Sequence, residues 1–426
     1  MCNFHMFRAK NTMFVQYERI SPQYFVFLDK RPASCYPEYE SELMQMKQYV
    51  QKNKTALIIL AAALVIFIAV RLWVAPEAEE SIEAAEFAEY EKGTVTQVLS
   101  DSTEADPTAD NALRGEQLLI VEVTSGRYEG EMLQVSNYVG PLYGGRVDVG
   151  DSVVMIISTY EDGSHVASVY EFNRTTALVI IVLLFIIATV LVGGKTGAKS
   201  LVGLAITVIC LFWILIPALM KGAPTLLTVF LVCAYVAIVS FVILGGVSKK
   251  IVCACLATIC GVAIAMLFGL IAQSLARIDG MRIADVEPLL QLRQTGTPIG
   301  MRYLLVGGII ISALGAVMDV AMSISSALSE IHEVDPKLGA KELFRSGMNI
   351  GRDMVGTMTN TLILAFIGSS FVIVIYLYSI GLQPYQLLSS SYLAIEVISG
   401  VASSIGVILS VPITAVICSF IIADKK

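Results

Sequence analysis

Few residues in this chain could do chemistry, and most of them fall at helical spacing inside apolar runs. In Arg345–Gly368, RSGMNIGRDMVGTMTNTLILAFIG, a turn of about 100° per residue puts Asn349, Asp353, Gly356 and Asn360 on one face, flanked by Arg352 and Thr357. In GAVMDVAMSISSAL, Gly315, Asp319, Met322, Ser323 and Ser326 share a face. Towards the C-terminus, Glu396, Gly400, Ser403, Ser410 and Thr414 share another. An Asp near the middle of a spanning helix costs about 2.5–3.5 kcal/mol even on the lenient insertion scale. Such groups turn towards protein or water, where they mark solute and ion pathways. The chemistry on offer is proton or cation carriage and hydrogen bonding to a polar solute. The three faces are expected to surround one site in a helical bundle: Asp319, Ser323, Ser326, Asn349, Arg352, Asp353, Thr357, Asn360 and Glu396. A structural reading stands beside each. Asp319 could bond neighbouring helices, Arg352 and Asp353 could snorkel or pair at the membrane boundary, and Glu396 could be interfacial. The glycines, serines and threonines could serve helix packing alone.

Covalent chemistry is argued against motif by motif. Gly193–Gly197, GGKTG, ends like a phosphate-binding loop, but the motif needs Gly where the chain has Thr189, and an apolar span precedes it. His332–Pro336, HEVDP, opens like a zinc-protease helix and has Pro336 where the second His belongs. There is no Gly-x-Ser-x-Gly elbow. Cys253, Cys255 and Cys260 lie in an apolar run without zinc spacing and read as small hydrophobes. No enzyme activity, catalytic residue, cofactor or metal is expected.

These residues need a membrane to make sense of them. The chain has 426 residues, 56% hydrophobic, with mean hydropathy +0.72, above the usual apolar share of soluble domains. Residues 1–45 show neither helical nor strand periodicity. Met46 opens MKQYVQKNKTALIILAAALVIFIAV, a basic flank before an apolar run, and the reading expects translation to start at Met44 or Met46. The expected organisation is a cytoplasmic segment over 1–55, an uncleaved anchor over 56–75, an acidic extracytoplasmic β-rich domain over 76–173 and a seven-helix membrane domain over 174–426.

Residues 76–173 carry 20 Asp and Glu against 4 Lys and Arg, a net −16 in a chain of net −7. They open with PEAEESIEAAEFAEYEK, which reads as a charged linker or short helix. Strand patterns follow at Gly93–Leu99, Gln117–Thr124, Met132–Ser136, Ser152–Thr159 and His165–Phe172, predicting a small antiparallel barrel or sandwich. Spans are expected at 177–193, 201–219, 225–246, 251–273, 304–328, 355–378 and 392–421, the last tilted or broken at Pro412. With the anchor that makes about eight transmembrane helices. Lys and Arg in the short loops favour both termini inside, 13 to 5, which puts the β-rich domain outside. The segment VEPLLQLRQ, in a loop with four Arg on the less favoured side, is expected as an interfacial helix.

Three strings carry a resemblance: GALGAVMDVAMSISSAL, ELFRSGMNIGRDMVGTMTNTLILAFIG and SSIGVILSVPITA. Over about residues 90–421 the chain resembles the YibE/F family of bacterial multi-pass membrane proteins. The resemblance implies a plasma-membrane protein of permease type and brings no substrate, reaction or catalytic residue. The expected function is a secondary permease for a small solute or ion, coupled to a gradient since no ATPase element is present. The alternative is a non-transporting envelope scaffold that binds a partner through the acidic domain; a hydrolase using Asp319 and a second carboxylate is a remoter one. Expected partners are the lipid bilayer, an unknown small solute or ion, and a second copy or an envelope protein, with no nucleic acid.

Overall fold

A computed structural model describes residues 54–74, 88–160, 165–278, 281, 286–294 and 296–423. The segment before Lys54, including Met44 and Met46, lies outside the described residues. So do the linker up to Phe87, Arg282 and the terminal Lys425 and Lys426.

Long apolar helices dominate. They are α1 (Lys54–Val74), α2 (Thr175–Met220), α3 (Thr225–Gly245), α4 (Lys249–Ala276), α5 (Glu287–Gln294), α6 (Leu304–Val334), α7 (Ala340–Ser369), α8 (Phe371–Ser379), α9 (Pro384–Leu388) and α10 (Ser391–Ala423). Six of these, α1, α2, α3, α4, α6 and α10, are long and apolar enough to cross a membrane. The pair α7 and α8, bent by 60° at Ser370, makes a seventh if taken as one broken span. Helices of this length and hydropathy belong in a bilayer, and the protein is membrane-embedded. The bend falls in Gly368–Ser369–Ser370, where the Ser369 hydroxyl donates to the Phe366 carbonyl at 2.8 Å; small polar residues that compete for backbone carbonyls are a usual cause of kinks. The single span expected over 355–378 is therefore broken, and its helix begins at Ala340. The last helix runs unbroken through Pro412.

The two spans expected at 177–193 and 201–219 form one continuous element with a sharp internal turn. Gly194 has φ 54° and ψ −136°, outside the helical region. A Cβ on Gly197 would strike the carbonyl oxygen of Thr189, eight residues back. In a straight helix those positions are about 12 Å apart. The chain therefore folds back on itself at Gly194. A π-helical turn, Leu211–Leu215, interrupts the second arm.

Between α1 and α2 lies a small β-barrel of β1 (Ala88–Asp101), β2 (Glu104–Asp106), β3 (Ala112–Val123), β4 (Met132–Val139), β5 (Ser152–Thr159) and β6 (His165–Phe172). The order β1-β5-β6-β4-β3 is closed by pairing of β1 with β3, and β2 lies on the edge of β3. All pairings are antiparallel except β4 with β6. Five strands joined this way make a Greek-key type of small barrel. Strand β1 serves two partners because register shifts at Val95/Gln97 and Val98/Ser100 bend it round the barrel. Alternate residues point inward, so Val95, Leu119, Val121, Val135, Val153, Met155 and Ile157 fill the core. Buried polar groups there are tied together. Asn137 Nδ2 donates to Gln117 Oε1 at 2.9 Å, and the same oxygen accepts from the Val147 N–H at 3.0 Å, fixing the loop after β4. Five of the six strands match expectation, β5 and β6 to the residue; three-residue β2 was too short to signal itself.

In the helical part, α10 lies against α4, α6 and α7. It comes close to α4 at Gly261 and Gly406. A side chain on Gly406 would meet Ala265 and the Gly261 carbonyl, and one on Gly261 would meet Val317 and Ser410. Small residues let membrane helices pack backbone to backbone. Helix α1 packs through Phe67 and Val70 beside α3, where the Tyr235 hydroxyl donates to the Ala63 carbonyl at 2.9 Å.

Candidate functional site

Contacts between helices give a scale of depth. On α7, Gly347 is closed off by Ala415, Gly351 by Val411, and Phe366 lies against Gly400 of α10. On α6, Ser312 bonds Ser403 at 2.9 Å, and Ile324 reaches Gly351. Asp319 lies between the rungs at Ser312 and Ile324, and Asn360 between those at Gly351 and Phe366. Both rungs fall in the middle of α10, so Asp319 and Asn360 belong to the central layer of the bundle.

The three polar faces meet different fates. On α10, Ser403, Ser410 and Thr414 are buried between helices. Their hydroxyls are used locally: Ser403 with Ser312, Ser410 on the Val407 carbonyl at 2.7 Å, Thr414 on the Ser410 carbonyl at 2.6 Å. This is helix packing. On α7 the opposite holds. Asn349, Arg352, Asp353, Gly356, Thr357 and Asn360 are all exposed, while Leu343, Gly347 and Gly351 on the other side pack inward. On α6, Gly315, Asp319 and Ser323 are exposed and Ser326 half-buried. Nothing lies within 4 Å of where a side chain on Gly315 or Gly356 would begin. Thr357 donates to its own helix, to the Met354 carbonyl at 3.1 Å. Asp319, Asn349, Arg352, Asp353 and Asn360 make no side-chain hydrogen bond or ion pair with another described residue.

Glu396 is separate. It is half-buried in a crevice of about 540 Å³ at the elbow of α7 and α8, with Ser370, Tyr376 and Tyr392. It is eleven positions along α10 from Val407, roughly 16 Å at 1.5 Å per residue. One enclosed site walled by three polar faces is thus not the arrangement seen: two faces are open, the third is consumed in packing, and Glu396 stands apart. Sequence reading passed over Thr258 and Ser404, whose buried hydroxyls have no hydrogen-bond partner among the described residues. A lone hydroxyl in an apolar run gives no signal that separates it from packing.

The barrel holds the best-defined electrostatic cluster. Asp101 accepts from the Thr103 hydroxyl at 2.6 Å and its N–H at 3.0 Å, from Arg146 Nε at 2.9 Å and from Gln117 Nε2 at 3.0 Å. The Thr103 bonds first, then Arg146, hold its carboxyl well below the usual range, and Asp101 in turn raises the Arg146 guanidinium. With every lone pair engaged, the cluster ties β1 to the loop before β5. Among the described residues no group of three or more His, Cys, Asp or Glu is placed to hold a metal ion.

Fold and polar faces together define a multi-pass helical membrane protein with a small β-barrel inserted after its first helix. Residues 181–424 match the YibE/F-like protein family, and the chain belongs to that family. The match runs from within α2 through α10 and leaves the barrel outside it, short of the resemblance read over 90–421. No curated protein and no solved structure matches the chain.

Proposed function

We propose that the protein is a secondary permease of a small solute or ion in the bacterial plasma membrane. The observation that carries this reading is Asp319, a carboxylate in the central layer of the helical part, on an open face with Ser323 and without a protein partner among the described residues. A carboxyl at that depth that exchanges a proton can couple proton movement to solute movement. Asp319→Asn keeps size and hydrogen bonding but does not titrate. It is expected to abolish gradient-driven flux in proteoliposomes while insertion stays normal; flux unchanged across the pH range would remove the central residue of this mechanism.

The reading includes eight spans, counting the two arms of α2 about Gly194 separately and α7 with α8 as one. Both termini are then cytoplasmic and the barrel extracytoplasmic. The charge balance of the short loops supports this. An impermeant thiol reagent applied to intact cells should label Asp110→Cys and spare Gly339→Cys; the reverse would invert the topology.

One observation favours the scaffold alternative. Tyr138, Leu142 and Tyr143 are exposed around a hollow of about 630 Å³ beside Arg114 on the barrel. Apolar surface of this kind is usual where a protein partner docks. Loss of a co-purifying envelope protein on Leu142→Asp, with no flux in wild type, would decide for that reading.

A further inference from the structure

We infer that two copies of this chain pair through the polar face of α7, and that Asn360 lies in the seam between them. Asn349, Asp353, Gly356, Asn360, Ile363 and Ile367 follow one another in steps of four, three, four, three and four, and all six are exposed. Alternation of three and four is the 3.5-residue repeat with which helices supercoil side by side. The helix already uses its other side, where Gly347 and Gly351 pack on Ala415 and Val411 of α10. Helix α7 therefore has two packing seams, and the described residues fill one.

The open seam cannot be left to lipid. Asn360 belongs to the central layer, and a polar side chain held in hydrocarbon keeps its hydrogen-bonding groups unpaired. The occupant must match the face in chemistry as well as shape, and the face matches itself. Two copies inserted the same way round are related by a two-fold axis along the membrane normal, so their α7 helices run parallel and each residue meets its counterpart at the same depth. Asn360 carries both a donor and an acceptor and can pair with its twin; a single seam Asn is a known means of setting register and a two-stranded state. Gly356, with open space before it, allows close approach one turn away. Asp353 and Arg352 are neighbours of opposite sign, so the Arg352 of each copy can reach the Asp353 of the other, and both charges are paired in one interface. A partner of a single charge sign would leave one of the two unpaired.

The inference does not rest on the permease reading: a dimer that moves no solute leaves it intact, and a monomeric permease overturns it alone. The test uses the full chain in native membranes. In a background lacking the native cysteines, Gly356→Cys and Ile363→Cys should form disulfide-linked dimers on mild oxidation. Leu183→Cys, on an arm of α2 exposed on every side, should not. Wild-type chain in lipid nanodiscs should have twice the mass of the single chain by native mass spectrometry, which covers the case where the cysteine-free background fails to fold. Arg352→Asp should lower the dimer fraction at least tenfold, and Arg352→Asp with Asp353→Arg should restore it. A chain mass of one copy, or seam cysteines that cross-link only to a different protein, would overturn the inference.

Discussion

Helices α7 and α10 carry the same signal in the sequence and end in opposite places. Each presents small and polar residues at helical spacing within an apolar run. In α10 these residues lie between α4, α6 and α7, and the stripe's hydroxyls are bonded, Ser403 to Ser312 of α6 and Ser410 and Thr414 within their own helix. In α7 they point away from all described neighbours. The difference teaches that a polar stripe shows only that a face is kept from lipid. What keeps it from lipid is decided by the helices on either side.

The largest effect expected from breaking this comparison is at Gly406. Gly406→Leu drives a side chain into the Gly261 carbonyl and Ala265, and overpacking against backbone that cannot yield costs about 1–3 kcal/mol or more. Little folded protein should survive detergent extraction, as judged by size-exclusion profile and thermal unfolding. Gly356→Leu, on the open face, should leave the fold of the single chain intact. Equal damage at both positions would show that the α7 face is packed after all.

A smaller contrast sharpens the point. Ser403→Leu overfills a buried site and should destabilise by about 1–3 kcal/mol. Asn360→Leu should stay within about 0.5 kcal/mol for the unpaired chain, as for exposed positions in general. Thermal midpoints in monomer-stabilising detergent check both. A large loss at Asn360 under those conditions would place its partners within the same chain.

How much of this could be read from residues alone follows from the kind of signal each leaves. Strands β5 and β6 were legible because short runs rich in β-branched and apolar residues lie between clear Gly and Asp breaks. The helices were legible as apolar runs, and the reversal near Gly194 as the charged GGKTG between two of them. The 60° bend at Ser370 was not, since Ser369 and Ser370 look like ordinary small residues until their neighbours on α10 are known. The candidate residues were legible as polar stripes at helical spacing, but how the helices group those stripes was not. Spacing gives the angle of a residue about its own helix and says nothing of which way that helix is turned in the bundle. Glu396 shows the same limit: it lies on the same stripe of α10 as Ser403, yet it opens into a different crevice.

The smallest expected effect lies in the barrel, which pairs its polar groups as α10 does. Asp101 has its carboxyl held low by Thr103 and Arg146. A depressed carboxylate stabilises the fold above its unfolded value, about 3.9, and that contribution is lost as pH falls through the lower folded value. Acid should therefore loosen the barrel below about pH 4, seen as faster amide exchange at the start of β3. Asp101→Asn should flatten that part of the profile, and an unchanged profile would show that Asp101 contributes nothing.

The junction between β6 and α2 has a mechanical consequence. Only Asn173 and Arg174 part the last strand from the helix, and both are fastened. The Asn173 amide donates to the Ser152 hydroxyl at 2.9 Å, its carbonyl oxygen accepts from the Thr175 N–H at 3.1 Å, and Arg174 pairs with Glu171. There is no slack here to absorb rotation. A load on the barrel would pass as leverage into the first arm of α2, whose residues 175–188 are all exposed. Spin labels on β6 and on that arm should then keep one fixed separation under conditions that reorient the barrel; a broad distribution of distances would mean that the joint swivels.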